Sequence, residues 1–476
     1  MKKAILILLV VFALLLPPIF VIGSVFILPP VYDETFVGAL DEKFERLNSL
    51  EGDKIVVVGG SSVAFGLDSR ALEEYTGMPV VNFGLYAALG TKMMLDLSLS
   101  GIDDGDIVIV APEMNKETLS LYFNADTAWR AIESDFSMLK YIGKDNRPSM
   151  VGALWGYGVG KIKAHFNGGI DFNDSIYSSD HFNEYGDFDN YPRMDNIMPE
   201  HYDPNTEVAL DPSAFTEEFF EFADYLNEYV KKCNQRGAKV YFSFSPMNSL
   251  ACDEVDDQTL AQLYSFLSDN LDCELISVPE DYILDPGYFF DTNFHMNDTG
   301  VVARTILLAR DIRLAEGITT GVLPEIPPPR YVPILDPVFD GYDENSKYFT
   351  YELRKNGTYS ITGLTEEGRS MTELTVPLGY NGYKVLAIKA GALRGSSVET
   401  LIVTEDSNLV MFENGAFSGA GNLRSLVIYK HEGSDIAPPA DFSGVHRSFK
   451  VYIPEGSDFP YHYYWSERGL TFEIID

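Results

Sequence analysis

The sequence predicts an α/β protein whose main domain is a doubly wound parallel sheet. From residue 54 to about residue 315, short apolar runs alternate with helical stretches. That alternation is typical of a parallel sheet with helices on both faces. A long apolar stretch precedes this region, and a proline-rich stretch and internal repeats follow it. The predicted organisation is a membrane anchor or signal segment, an α/β domain, a linker and a repeat domain: 1–30, 31–323, 324–349 and 350–476.

The N-terminal stretch "MKKAILILLVVFALLLPPIFVIGSVFIL" predicts a transmembrane helix. Lys2 and Lys3 are followed by no charge through Leu28. As a helix, residues 4–28 would extend about 37 Å, and a bilayer core is about 30 Å thick. No clear small-residue cleavage site follows, which favours a retained anchor over a cleaved signal peptide. The lysines would stay in the cytoplasm, so we expect a single-pass membrane protein with its bulk outside the cell, or a secreted protein if the segment is cleaved.

The α/β domain begins with a clear order of elements. "KIVVVGG" predicts a buried strand, "DSRALEEYTG" a capped helix, and "PVVNFG" a second strand. "TKMMLDLSLSG" predicts a helix and "DIVIVAPEMN" a third strand. Residues 116–215, rich in Asn, Asp, Tyr and Gly, predict an insertion over the edge or mouth of the sheet. The pattern resumes with helices in "TEEFFEFADYLNEYVKKCNQRG", "DQTLAQLYSFLSDNL" and "DTGVVARTILLARDI" and with strands in "AKVYFSFSP" and "CELIS".

The C-terminal part predicts a repeat domain behind a stiff linker. "PEIPPPRYVPILDP", residues 324–337, favours an extended chain. Beyond it, Gly391 and Gly395 recur 24 residues later as Gly415 and Gly419, and leucines recur at the start of the strand that follows. Repeats of this length with leucines on a short strand indicate a leucine-rich-repeat solenoid. The stretch resembles the BspA-type leucine-rich repeats of bacterial surface proteins.

Composition excludes several classes of function. The chain has 35 basic and 71 acidic residues, a formal net charge of −36. Nucleic-acid binding needs a basic surface, so no nucleic-acid partner is expected. There are three cysteines and no CxxC pair, so we interpret the cysteines as core residues and expect no zinc site.

The stretch "VVVGGSSVAFG", residues 56–66, is the candidate site. It lacks the lysine of a P-loop, and its glycines do not have the GxGxxG spacing of a dinucleotide-binding turn. A serine at a strand-to-helix turn can be a nucleophile if a base is near. His295 is the single histidine in the regular part of the domain, and it follows Asp291 by four residues. An aspartate in that position can orient and stabilise the imidazole.

Three blocks resemble the SGNH (GDSL-like) hydrolase superfamily, and most of all its membrane-linked branch with the DltD-like and AlgJ/AlgX-like proteins. The blocks are "GGSSVAFGLDS", "NFG" and "DTNFHMNDTG", in that order. The resemblance implies a flavodoxin-like three-layer α/β/α sandwich and acyl transfer from an ester to water or to a sugar hydroxyl. It implies that Ser61 is the nucleophile, with Ser62 as the alternative, and that His295 is the base. Oxyanion donors would be the N–H groups of Ser61 and Gly84.

Two departures from the family pattern bear on the site. The family has DxxH, whereas here three residues separate Asp291 from His295 and Thr292 holds the strict position. The acid is therefore Asp291 on a longer turn, or it is absent. The GxND block is also missing, and Asn115 after the third strand is the candidate side-chain donor to the oxyanion.

The expected function is a membrane-anchored extracellular serine esterase or O-acyltransferase. By resemblance, its substrate is an acyl ester of a cell-envelope or exported polysaccharide, and its partner a membrane O-acyltransferase. The chemistry requires no metal and no cofactor. The alternative is a non-catalytic adhesion or scaffold protein that binds ligands through its repeats.

Overall fold

The computed structural model describes residues 16–167, 176–198, 201–252, 255–330, 338–354, 357–430, 436, 439, 442–454 and 472–475. The chain forms two compact units. Unit 1 comprises Met1–Ile197 and Glu207–Val332, and unit 2 comprises Met198–Thr206 and Pro333–Asp476. The last boundary, between Val332 and Pro333, falls within the proline-rich stretch, whose residues 331–337 lie outside the described part.

Unit 1 contains a five-stranded sheet in the order β2-β1-β3-β4-β6, and every neighbouring pair is parallel. Two further short strands, β5 and β7, pair with each other. The strands are β1 (Ile55–Gly59), β2 (Val80–Gly84), β3 (Ile107–Val110), β4 (Lys239–Phe242), β5 (Met247–Asn248), β6 (Glu274–Leu275) and β7 (Ile283–Leu284).

Helices separate these strands along the chain. Besides the helical residues 16–27, the described α-helices of unit 1 are α1 (Leu40–Ser49), α2 (Ser61–Phe65), α3 (Ser69–Thr76), α4 (Thr91–Ser98), α5 (Ala125–Ala131), α6 (Arg147–Phe166), α7 (Glu217–Gln235), α8 (Asp257–Asn270) and α9 (Asp298–Glu316).

Both faces of the sheet are buried, which is why its strands are apolar throughout. In β1, Val56 and Val58 belong to a core that includes side chains of α1, α4, α7 and α8. Ile55 and Val57 belong to a second core with side chains of α3 and α9. Alternate residues of a strand point to opposite faces, so two apolar layers require an unbroken apolar strand. The predicted α/β class with a parallel sheet is confirmed, and it is compatible with a three-layer fold.

The N-terminal segment enters unit 1 as a helix. Residues 16–27 are helical, and residues 1–15, the first half of the predicted anchor, lie outside the described part. Among the described residues, no helix combines the length and the apolar character required to cross a membrane.

The insertion is more regular than the sequence predicts, because it contains α5 and the 20-residue α6. Four glycines in α6 weaken its helical pattern, because glycine is a poor helix former. Packing compensates, because Met150, Tyr157 and Lys161 are buried against the rest of unit 1.

Unit 2 contains α10 (Glu366–Ser370) and two larger sheets. One sheet has the order β10-β13-β15-β16-β17 and the other β11-β12-β9-β8, with β14 paired to β12. The strands are β8 (Phe349–Leu353), β9 (Tyr359–Leu364), β10 (Glu373–Thr375), β11 (Gly379–Tyr380), β12 (Tyr383–Ile388), β13 (Thr400–Val403), β14 (Met411–Phe412), β15 (Ser425–Ile428), β16 (Lys450–Pro454) and β17 (Phe472–Ile475).

The repeated residues of unit 2 lie in register. Leu401 pairs with Leu374 on one side and with Leu426 on the other in a parallel ladder. The Gly391 N–H donates to the Gly415 carbonyl at 2.8 Å. The next repeated pair, Gly395 and Gly419, is joined in the same way at 3.0 Å, and all four glycines have positive φ. Equivalent residues of successive repeats therefore occupy equivalent backbone positions.

Candidate active site

The turn after β1 places Ser61 at the carboxyl edge of the sheet, where ligands of parallel sheets bind. Space is so limited that the turn requires glycines. A Cβ at Gly59 would lie 2.5 Å from the carbonyl oxygen of Ala111, and one at Gly60 would lie 2.4 Å from the carboxylate of Glu113. Ser61 is the first residue of α2 and is partly exposed. Its N–H has no hydrogen-bond acceptor among the described residues, so it can donate to an incoming oxygen.

His295 and Asp291 are joined by a hydrogen bond. The distance from His295 Nδ1 to Asp291 Oδ1 is 2.8 Å, and the side chains are only 6% and 4% exposed. The Phe290 N–H donates to the His295 carbonyl at 2.9 Å, so the backbone folds back and brings the two side chains together. Because the bond uses Nδ1, the imidazole has Nε2 left to accept a proton from a nucleophile.

Thr292 explains how the longer spacing still allows this bond. Its Oγ1 accepts hydrogen bonds from the N–H groups of Phe294 and His295, at 3.2 and 3.0 Å. This local side-chain bond fixes the turn between Asp291 and His295. The residue in the family's strict acid position thus shapes the turn, and Asp291 is the residue that contacts the imidazole.

The carboxylate of Asp291 is held ionised by its surroundings. Burial alone would raise its pKa, but the charge of His295 and hydrogen bonds from His295 and Tyr177 outweigh that effect, so the pKa lies below its ordinary value. The Tyr177 hydroxyl donates to Asp291 Oδ2 at 2.6 Å. Both carboxylate oxygens are therefore engaged, and a negative charge persists beside the imidazole at neutral pH.

Phe65 links the imidazole to the helix of Ser61. Its ring stacks on His295 with a centroid separation of 4.1 Å and an interplanar angle of 6°. Phe65 is four residues after Ser61 in α2, and residues four apart lie on the same side of a helix. The imidazole therefore lies against the helix that begins with Ser61. No hydrogen bond of the Ser61 hydroxyl, to His295 or to any other group, is found among the described residues.

Ser62, the alternative nucleophile, faces the interior. It is completely buried, and its Oγ lies 3.1 Å from Ser245 Oγ, which donates to the Ala111 carbonyl at 2.8 Å. Its N–H donates to Glu113 Oε1 at 2.7 Å, and its carbonyl accepts a bond from Arg304. These contacts stabilise the turn from the protein interior. Of the two serines, Ser61 has the exposure that a substrate requires.

Gly84 lies beside this turn, but its N–H is already used. It pairs with Gly59 across β1 and β2, and its N–H donates to Asn82 Oδ1 at 3.1 Å. A Cβ at Gly84 would lie 2.3 Å from the Cβ of Val63. A glycine is required at position 84 because α2 approaches β2 closely there. The Gly84 N–H, the predicted oxyanion donor, already donates to Asn82 in this structure.

Asn115 follows β3 and is partly exposed. Its Oδ1 accepts a hydrogen bond from the Thr118 N–H at 2.9 Å, which orients the amide. Within the described part of the chain, the Nδ2 of Asn115 has no hydrogen-bond partner. It is therefore available as a donor, and the role predicted for Asn115 stays a hypothesis.

Replacing Gly84 with alanine tests the packing account. We expect it to lower the free energy of unfolding by about 1–3 kcal/mol, because the added methyl group overlaps Val63. Urea unfolding of the full chain measures the change. Gly152→Ala in α6 is the matched control, since its Cβ would meet nothing within 4 Å and alanine favours a helix. Equal stability of Gly84→Ala and the wild type would refute the account.

Several residues around the site carry no local signal in the sequence. Tyr177 comes from the insertion, as does Phe188, which stacks on the opposite face of Phe65 at 4.1 Å. Glu113 accepts the Ser62 N–H and Arg304 donates to the Ser62 carbonyl, and the two side chains are buried, at 2% and 1% exposed. Both are charged side chains, and a charged side chain that is buried in a protein is usually paired or hydrogen-bonded.

No group of three or more His, Cys, Asp or Glu side chains is arranged to hold a metal ion in the described part of the chain. The three cysteines, Cys233, Cys252 and Cys273, are buried free thiols. Comparisons of the chain with protein-family models, with curated proteins and with solved structures returned no match.

Proposed function

We propose that unit 1 is an SGNH-type serine esterase or O-acyltransferase with Ser61 as nucleophile, His295 as base and Asp291 as the acid that orients it. The observation that carries the proposal is the Asp291–His295 hydrogen bond at 2.8 Å, with the imidazole stacked on Phe65 of the helix that Ser61 begins. A serine hydroxyl is inert at neutral pH without such a base.

The finer fold assignments belong to the same proposal. The sheet order of unit 1 is β2-β1-β3-β4-β6. Counted within the sheet alone this is the order 2-1-3-4-5 of flavodoxin-like doubly wound proteins. For unit 2 we propose a leucine-rich-repeat solenoid of BspA type, supported by the in-register ladder through Leu374, Leu401 and Leu426. Stacked repeats bury their apolar faces against each other in such folds.

The proposed reaction uses each group in the role assigned to it above. His295 Nε2 takes the proton as Ser61 Oγ attacks the acyl carbonyl, and the Ser61 N–H donates to the oxyanion, with Asn115 as a second candidate donor. The intermediate collapses, the C–O bond to the leaving alcohol breaks, and the imidazolium returns its proton to that alcohol. Water or a sugar hydroxyl then attacks the acyl-enzyme with His295 again as base. The bond between the acyl carbon and Ser61 Oγ breaks, and the imidazolium returns its proton to Ser61 Oγ.

The proposed substrate is an acylated carbohydrate polymer of the cell envelope, and the proposed partner is a membrane O-acyltransferase. The resemblance of the three sequence blocks supports both. The net charge of −36 and the apolar N-terminal stretch agree with an anchored protein outside the cell.

Labelling by a fluorophosphonate probe tests the proposal. The probe modifies activated serines, so we expect the wild type to be labelled and peptide mass spectrometry to find the adduct on Ser61. Ser62→Ala should label like the wild type and Ser61→Ala should not label. An adduct on Ser62 would show that Ser62, and not Ser61, is the nucleophile. If the folded wild-type protein is not labelled, the proposed enzymatic function is refuted. The alternative, an adhesion or scaffold protein acting through unit 2, is then favoured.

A further inference from the structure

Helix α6 has an exposed apolar face that the proposed chemistry does not use. Val151, Trp155 and Phe166 are 71%, 49% and 76% exposed. They lie along one side of the helix at spacings of four and eleven residues, with the half-buried Val159 and Ile162 between them. A water-soluble helix usually exposes polar side chains on its outer face. This face therefore indicates a contact with something apolar.

The charge of α6 contrasts with the rest of the molecule. The chain carries 71 acidic residues, yet α6 contains none, and its exposed charged or titratable side chains are Arg147, Lys163 and His165. An apolar face bordered by basic side chains is the pattern of helices that lie in the interface of a membrane, where the basic groups meet lipid headgroups.

The helical residues 16–27 continue the same apolar surface. Six of their large apolar side chains are exposed, and together with those of α6 they make nine of the 27 such side chains found in the described part of the chain. The six are Leu16, Ile19, Phe20, Ile22, Phe26 and Ile27. A patch this concentrated marks a protein or membrane contact rather than ordinary surface variation.

The two helices are packed closely against each other. Gly158 of α6 permits the contact, since a Cβ there would lie 2.9 Å from Val21 Cγ1 and 3.1 Å from Val25 Cγ2. Lys161 Nζ also donates to the Val25 carbonyl at 3.3 Å. The chain that leaves the N-terminal end of this helix is the apolar stretch that begins after Lys3.

A buried ion pair fixes the segment just after the N-terminal helix. Glu133 pairs with Lys161 at 3.1 Å, and both side chains are 1% exposed. The other Glu133 oxygen accepts the N–H groups of Val31 and Tyr32. A buried pair with its remaining hydrogen bonds satisfied resists disruption. The N-terminal helix therefore joins unit 1 at a defined position beside α6.

We propose that α6 is a second membrane-contacting element, whose apolar face lies in the interface of the bilayer beside the N-terminal segment. The occupant is a lipid surface with anionic headgroups. Two contact lines, rather than one flexible tether, would hold unit 1 at a fixed orientation to the membrane. This proposal is independent of the chemistry at Ser61 and stands or falls by itself.

Lipid contact can be measured on the full chain in vesicles of phosphatidylcholine and phosphatidylglycerol. An environment-sensitive fluorophore is placed on Val151→Cys, and the matched control is Glu221→Cys on the exposed side of α7. The native thiols are buried, and burial raises the pKa of Cys233 to about 11 and of Cys273 to about 12. Labelling at neutral pH therefore selects the introduced cysteine.

Nitroxide-bearing lipids should quench the fluorophore at position 151 at least about threefold more than at position 221, because interfacial helices insert about 5–10 Å. Adding Trp155→Glu to the Val151→Cys protein should reduce that quenching toward the control. Equal quenching at both positions, with the protein still on the vesicles, would overturn the proposal. Protection from aqueous iodide without nitroxide quenching would overturn it too, since it indicates a protein cover. If the protein does not float with the vesicles, the proposal is overturned as well.

Discussion

Ser61→Ala is expected to reduce the hydrolysis of p-nitrophenyl acetate to the uncatalysed background, a loss of about 10⁴-fold or more in kcat. The reason is that the acyl-enzyme cannot form without the hydroxyl, while the base and its aspartate remain in place. The change removes a single oxygen atom from a partly exposed side chain that has no hydrogen bond in the described part of the chain. Steady-state kinetics with the purified full chain measures the loss.

Ser62→Ala is the matched control for this prediction. Its hydroxyl contacts Ser245 in the interior, so its removal should cost stability of about 1 kcal/mol and leave most of the activity. Circular dichroism and urea unfolding verify that both variants are folded. If Ser61→Ala keeps full activity while Ser62→Ala loses it, the nucleophile is Ser62 and the turn must open to admit substrate.

Much of unit 1 could be predicted because its signals are local. The valines of β1 and β3 and the glycine-serine turn after β1 are contiguous in the sequence, and each is decided by neighbouring residues. The same holds for Asp291 and His295, which are four residues apart and are held together by one turn. The order of strands and helices followed from the same local patterns.

The features that local patterns do not indicate have a different physical origin, namely long-range packing. The resemblance of the "NFG" block predicts Gly84 as an oxyanion donor, and nothing near Gly84 in the sequence indicates that Val63 packs against it. Nothing near Tyr177 indicates that its hydroxyl will reach a carboxylate 114 residues later. Helix α6 was overlooked because its glycines weaken the helical pattern, and its stability depends on Lys161 and Glu133 meeting in the interior.

Under the two proposals, the insertion has two roles that its composition does not reveal. Its first half supplies α6 and the apolar face beside the N-terminal helix. Its second half supplies Tyr177 and Phe188, which hold the acid and the aromatic stack of the site. Because both halves belong to one segment of unit 1, the membrane contact and the catalytic groups would share a common scaffold.

Asp291→Asn is the second large effect that we expect, a loss of about 10³- to 10⁴-fold in kcat/KM with the fold retained. Asparagine keeps the shape of the side chain but removes the charge that stabilises the imidazolium, and its amide can turn a donor toward Nδ1. Tyr177→Phe is the matched control, because it removes one hydrogen bond to Asp291 and keeps the charge. We expect it to lower kcat/KM by about tenfold, the value of one hydrogen bond to a charged group.

The pH dependence of stability tests whether the Asp291 carboxylate carries its charge in the folded protein. The pKa of Asp291 is lowered in the folded state, so its carboxylate stabilises the fold above its unfolded pKa of about 3.9. That contribution is lost as the pH falls through the folded pKa. The wild type should therefore be more stable than Asp291→Asn at pH 7, and the difference should shrink below about pH 4. Urea unfolding at pH 7 and pH 3 measures it. If the difference in the free energy of unfolding between the wild type and Asp291→Asn does not depend on pH, Asp291 does not have the proposed role. Wild-type activity of Asp291→Asn would contradict that role as well.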